Sequence, residues 1–448
     1  MMAPLTTLDG VVIFLLLVLA YGGIVAYLYR TRRIGPDKAL SLFGPALMIK
    51  TRRGRGWLDR VGRFRRFWSV VADVGILLAA LSMLVTVVIL LLEGILATQV
   101  PASAAVPPQE ALGLPVINPI IPLGYGVVAL VVGVVLHELA HGVVARSQQI
   151  GVKSLGVLWF VVPVGAFVEQ DDEQMTQASR RRRTRVAAAG VLANFVLAVV
   201  FFSLLAAVVS SSVQPNATGV GVLTVVPNSP ASNNSLVAGD IITNVNGAAT
   251  PNAGALDSAL ANSTPGEQVA VTFYSASSQR LVVIHPTLAK SQYNATRGFL
   301  GVEISELTPA DTLQELTWPA GSQYGALFGL VTWIALPIIG LEPVGGVVPS
   351  FFHLVGPLAL LGSGGFWIVA NLLYWLAWMN LLLGLSNTLP LVPLDGGLLV
   401  RDFAGSILAR LRRGWSAARL DAVTGRLAVA SSLLVVFLLV WILFAPRL

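Results

Sequence analysis

Long apolar runs alternate with short charged blocks along this chain. The runs Val11 to Tyr29, Val70 to Ala97, Leu123 to Val144, Val186 to Val209, Phe366 to Ser386 and Leu427 to Phe444 are each long enough to cross a bilayer as a helix. Two further apolar stretches are short or interrupted: Gly325 to Leu341 contains Pro337, and Ser350 to Gly365 contains Gly356-Pro357. The pattern predicts a polytopic α-helical membrane protein of about six transmembrane helices, with the interrupted segments re-entrant or lying at an interface. Residues 151–169 differ, because β-branched and aromatic residues punctuated by Gly and Pro predict short strands rather than helix. Non-helical backbone at membrane depth is tolerated only where protein or a water-filled cavity satisfies it. Such strands could pair with an extended polypeptide, or form a hairpin with no binding role. Residues 212–300 change character again: Asn, Ser, Thr, Gly and Pro rise, and alternating segments at Val220 to Val226 and Val269 to Tyr274 predict an inserted β-rich domain.

These shifts divide the chain into four parts. They are an N-terminal two-span region (1–98), a first half of a membrane core (123–211), the β-rich insert (212–300) and a second half of the membrane core (301–448). No cleavage-site pattern follows the first span, which therefore reads as an anchor. The loop from Arg30 to Arg66 holds twelve Lys and Arg against Asp37 and Asp59, whereas Thr98 to Pro122 holds none. Basic loops stay on the cytoplasmic side, so the first is expected inside and the second outside. The block Arg180 to Arg185 begins the fourth span from inside, which places the insert outside; four glycosylation sequons, at Asn216, Asn233, Asn262 and Asn294, agree. A basic amphipathic stretch through Arg413 returns to the inside, so an odd number of crossings separates it from the insert, and one is favoured over three.

Composition narrows the class. With 55% hydrophobic and 11% charged residues and a mean hydropathy of +0.77, this is not a soluble globular chain, in which about a quarter of residues are charged. The absence of Cys excludes disulfides and thiolate metal sites. A net charge of +7 could indicate nucleic acid, but the cations sit in short blocks beside apolar spans with no interleaved aromatics, so they read as topology signals and no nucleic-acid partner is expected.

The candidate chemistry lies in the third span, at H-E-L-A-H. His137 and His141 stand one helical turn apart on one face, with Glu138 beside the first. Two such imidazoles can reach one Zn²⁺, and the carboxylate can take a proton from a water that the metal activates. The alternative is a histidine pair that hydrogen-bonds neighbouring helices, yet ionisable groups in hydrocarbon are costly and by default functional. Zinc held by two His needs a third protein ligand. His285 lies in the insert and His353 in an interrupted segment, and both are poor candidates. Asp395 is better: it follows a span, precedes a Gly pair that permits close backbone approach, and lies on the same side as the histidines. Its alternative role is a helix N-cap.

The chain resembles the site-2 proteases, a family of intramembrane zinc metalloproteases. The matching stretches are H-E-L-A-H at 137–141, V-P-V-G-A-F at 162–167, A-A-A-G-V-L-A-N ending at Asn194, and N-T-L-P-L-V-P-L-D-G-G at 387–397. Val191 and Gly165-Ala166 depart from the family's usual Pro and Gly-Gly. The resemblance implies that His137, His141 and Asp395 bind one Zn²⁺, that Glu138 activates water, and that Asn387 lines the site and holds the substrate carbonyl or its oxyanion. The insert resembles a PDZ domain through V-V-P-N-S-P-A at 225–231 and A-G-D-I-I-T-N-V-N-G at 238–247, which implies binding of substrate tails or of a regulator. The expected function is regulated intramembrane proteolysis of transmembrane protein substrates in the lipid bilayer of the cell membrane. The active site would open towards the cytoplasm. The alternatives are a catalytically inactive membrane scaffold or a metal transporter. A scaffold should lack the Glu or a ligand, and a transporter should carry ionisable residues through several spans.

Overall fold

A computed structural model of the chain describes residues 7–35, 38–105, 117–291, 296–318 and 346–447, with isolated positions between 107 and 115 and between 325 and 334. Five helices among these are long and apolar enough to cross a membrane. They include α3 (Arg65–Leu96), α4 (Leu123–Ser147), α5 (Arg180–Ser212), α6 (Gly362–Thr388) and α8 (Ala417–Phe444). The first predicted span, Val11 to Tyr29, lies in α1 (Thr7–Arg30). Two more helices complete the framework: α2 (Arg55–Gly62) and α7 (Asp395–Leu411). The chain divides into two compact units. One comprises Met1–Pro119, Gly126–Ala198 and Met379–Leu448, the other Ile120–Tyr125 and Val199–Trp378.

The first unit is built on α4. Its buried positions Gly126, Ala129, Gly133, His137 and His141 recur every three or four residues, so one stripe of small residues and imidazoles faces inward. Small residues let helix backbones approach where no hydrophobic force drives association. A Cβ at Gly133 would lie 2.6 Å from a methyl of Leu383 on α6, and one at Gly75 on α3 would lie 3.2 Å from Leu192 Cβ on α5. The most apolar stretch of α4 is 39% buried, against 17% for α3 and for α8, which makes α4 the inner helix of these three. Helices α3 and α8 meet through Leu90, Val435 and Leu438, and Trp441 Nε1 donates to Gly94 O at 2.8 Å.

The basic block 180–185 forms the first turns of α5, ahead of the apolar run that begins at Val186. Three of its arginines form ion pairs with neighbouring helices. Arg185 and Arg181 each lie 2.7 Å from Asp73 of α3, and Arg183 lies 2.6 Å from Asp402 of α7. The loop between Arg30 and Arg66 is also more ordered than its charge pattern suggested. It contains β1 (Leu40–Phe43) and β2 (Ala46–Thr51), which join the expected strands β3 (Val152–Phe160) and β4 (Val162–Gln170) in an antiparallel sheet of order β1-β2-β3-β4. Alternation at A-L-M-I-K-T is short and masked by the flanking charge, which is why period and composition did not reveal it.

The second unit contains the β-rich insert. Its main sheet runs Arg280–Ile284, Val271–Ser275, Ile241–Val245, Val220–Val225, Val302–Ile304, with each neighbouring pair antiparallel. The last of these strands carries the fold past the expected boundary at 300. Inward residues Val220, Val222, Ile242, Val245, Val271 and Phe273 form its core with Leu236, Leu256 and Leu288. The A-G-D turn is held by Asp240, which accepts from Val237 N at 2.9 Å and from Ala276 N at 3.0 Å. Burial pushes this carboxyl up, against the pull of those two amides. His285 and His353 belong to this unit; His353 Nδ1 lies 3.0 Å from Asn216 Oδ1, in a strand that pairs with Val213–Pro215. The segment 350–365 is a short strand, Phe352–Leu354, between 3₁₀ turns, followed from Gly362 by the start of α6, and the segment 325–341 falls largely outside the described residues.

Candidate metal centre

Three side chains from two helices converge inside the first unit. One turn of α4 separates His137 from His141, and their Nε2 atoms are 3.0 Å apart. Asp395, the first residue of α7, brings Oδ2 to 3.2 Å from each. All three side chains are at least 88% buried.

The local sequence explains how Asp395 arrives. The segment after α6 folds back tightly enough that a Cβ at Gly396 would lie 2.1 Å from Leu389 O, and one at Gly397 would lie 2.8 Å from Val392 N. Only glycines admit that approach. The N-cap of α7 is Leu394, so Asp395 does not cap the helix, and its carboxylate is left to the imidazoles. Farther along α7, Asp402 pairs with Arg183. Arg183 and Asp402 each lie seven residues, two turns, from a residue at the centre, Gly190 and Asp395 respectively. The ion pair therefore fixes the register of α7 against α5.

Backbone groups orient the ligands. His141 Nδ1 lies 2.7 Å from Val186 O, and a carbonyl only accepts, so Nδ1 carries the hydrogen. The neutral ring then presents the bare lone pair of Nε2 to His137 and Asp395. Asp395 Oδ2 is buried with no hydrogen-bond partner among the described residues. With His137 in the same tautomer as His141, three acceptors would face one another at this distance, an arrangement that a cation satisfies. Zn²⁺ with bonds of about 2.0–2.2 Å would set the corners of a tetrahedron about 3.3–3.6 Å apart, so three N and O atoms at 3.0 to 3.2 Å fit three corners with slight expansion.

Glu138 also lies within reach, since its carboxylate and the two imidazoles offer ligand atoms within 4.8 Å of one another. Its Oε2, however, accepts from Val168 N of β4 at 3.0 Å. Asp395 lies within 3.2 Å of both Nε2 atoms while Glu138 is tied to the strand, so Asp395 is better placed than Glu138 to complete a three-donor set. Among the described residues Asn387 makes no contact with this triangle: its Nδ2 donates to Leu383 O, one turn back on α6, at 3.0 Å.

Two features of α5 have no counterpart in a motif reading based on ligands alone. Gly190 packs against the imidazoles so closely that a Cβ there would lie 2.5 Å from Nε2 of both His137 and His141. One turn on, Asn194 is wholly buried with neither amide atom hydrogen-bonded among the described residues. Both fall in the A-A-A-G-V-L-A-N run, which was the available signal. The Val168 amide and the Val186 carbonyl had none, because backbone groups are the same in every residue.

The family model described as peptidase family M50 matches residues 125–423. An uncharacterized protein of Methanocaldococcus jannaschii is 32% identical over 165 residues, which take in 35% of this chain and 42% of the relative's length.

Proposed function

The chain belongs to peptidase family M50, the site-2 protease family, and from that premise we propose that it is a zinc endopeptidase that hydrolyses peptide bonds within or near transmembrane segments of other membrane proteins. The observation that carries this reading is the triangle of His137, His141 and Asp395, at 3.0 to 3.2 Å, with the Glu138 carboxylate beside it.

In this reading the two imidazoles and Asp395 would hold one Zn²⁺. When bound, the zinc supplies Lewis acidity and makes water nucleophilic near neutral pH. Glu138 accepts the proton at a carboxylate oxygen as water attacks the peptide carbonyl, then delivers it to the leaving amine. The Val168 N–H aims that carboxylate without neutralising it. Because β4 ends its sheet, an unwound substrate segment could pair along it, and the amide of Asn387 would hold the substrate carbonyl after leaving Leu383 O. A helical substrate hides its carbonyls in hydrogen bonds, so local unwinding precedes attack.

The remaining assignments follow the charge pattern. We place the basic segments at 30–66 and 401–413 on the cytoplasmic side, the β-rich insert outside as a PDZ-like module that binds substrate tails or a regulator, and the metal centre open to cytoplasmic water. Glu138→Gln tests the chemistry: the amide keeps its place beside Val168 but accepts no proton. Metal analysis should find zinc retained, while cleavage of a reconstituted transmembrane substrate falls at least about a thousandfold, near the upper range for a general base. Appreciable residual proteolysis would remove Glu138 from that role.

A further inference from the structure

A second polar site lies on the four-stranded sheet. Lys38, Lys50, Arg52, Arg53, Arg55 and Lys153 line a cup of about 580 Å³, and Glu169 is the one carboxylate among its described lining residues. Its floor is already paired. Lys50 Nζ lies 2.9 Å from Glu169 Oε1, and Ser154 Oγ donates to Oε2. Burial works against the Glu169 carboxylate, but these donors and the nearby Lys153 hold its pKa below the ordinary value, so it stays ionised and is committed to Lys50.

The rim is different. Arg55 Nη1 donates to Lys153 O at 3.2 Å, and Lys153 Nζ reaches Asp172 only at 3.7 Å, with that aspartate 95% exposed. Arg52 and Arg53, both exposed on the turn between β2 and α2, have no side-chain hydrogen bond or ion pair among the described residues. Six cations against one committed carboxylate focus positive potential into a concave surface. The volume falls within the range of small-molecule sites.

We infer that this cup binds a phosphate-bearing anion, with the guanidinium groups of Arg52 and Arg53 gripping its oxygens. Guanidinium forks match phosphate geometry in a way that ammonium groups do not. The cup is built from the segment between Arg30, where α1 ends, and Arg65, where α3 begins, together with β3 and β4. Its residues from this segment therefore lie, in sequence, between the ends of two apolar helices, where a phospholipid headgroup and a soluble phosphate compound offer the same chemistry. Glu169 also follows Val168, whose amide holds Glu138. An occupant that draws Lys50 from Glu169 acts on the strand whose Val168 amide holds Glu138. The inference does not depend on the protease reading.

The test uses the full-length protein in uncharged detergent, with the thermal unfolding midpoint followed during titration with inorganic phosphate, short-chain phosphatidylglycerol or short-chain phosphatidylcholine. At least one of the two anionic probes should raise the midpoint more than phosphatidylcholine does. The double variant Arg52→Gln, Arg53→Gln should weaken that probe at least tenfold, and either single variant at least threefold. The control Arg412→Gln, Arg413→Gln, which removes the same charge beyond α7, should change it less than twofold. A response to phosphate assigns a soluble ligand, and a response to the lipid alone assigns a headgroup; both support the site. No response to either probe, or equal losses in the two double variants, would show general charge adsorption and overturn it.

Discussion

At the residue scale the metal centre depends on an atom that is missing. Alanine is about 1 kcal/mol more favourable than glycine inside a helix, so Gly190→Ala should leave α5 intact. Its Cβ would nevertheless lie 2.5 Å from both Nε2 atoms, a separation that only displaced imidazoles relieve. The expected outcome is a folded protein whose zinc affinity is lower by about tenfold or more, comparable to the loss of an orienting partner. Metal content after equilibration with a competing chelator checks this, and unchanged zinc affinity would mean that the imidazoles have room the structure does not show. Asn194 makes the complementary point. Its amide is buried without a hydrogen bond, a burden of about 1–3 kcal/mol on the fold, one turn from Gly190.

At the element scale β4 does more than extend a sheet. The N–H of Val168 donates to Glu138 at 3.0 Å, and β4 is the edge of the order β1-β2-β3-β4. Proline is accepted in edge strands where the N–H does not feed the ladder. Val168→Pro should therefore keep the sheet and the zinc, yet leave Glu138 without the donor that aims it. The turnover rate should fall by about tenfold, since one hydrogen bond to a charged group contributes about 1.5–3 kcal/mol, while metal content stays at that of the parent. Zinc loss alongside lost activity would instead make β4 part of the framework of the centre. The arginines of α5 work in the same register-setting way: Arg183 at Asp402, and Arg181 and Arg185 at Asp73, tie three helices at one end.

At the scale of the whole molecule the proposal concerns sidedness. Arg52 and Ser278 are exposed, and the chain has no Cys. In sealed vesicles of known orientation, a membrane-impermeant thiol reagent should label Arg52→Cys only from the cytoplasmic face and Ser278→Cys only from the opposite face. Labelling of both from one side would overturn the proposed topology and with it the expected water path to the metal.

Much of the architecture was legible because hydrocarbon imposes a one-dimensional rule. A membrane helix satisfies its own backbone, so long apolar runs declare α3, α4, α5, α6 and α8 without reference to the rest of the chain. The pair His137 and His141 was legible for the same local reason, since helical period alone puts both on one face. Asp395 was visible only as a candidate, through the glycines beside it and through family likeness, because nothing local states that a residue so distant in sequence returns to within 3.2 Å of both imidazoles. The pairing of β1 and β2 with β3, the clearance at Gly190, the tautomer set by Val186 O and the amide that aims Glu138 were decided by tertiary structure. Each depends on which backbone atoms meet across elements, and backbone atoms carry no residue identity that a sequence could display.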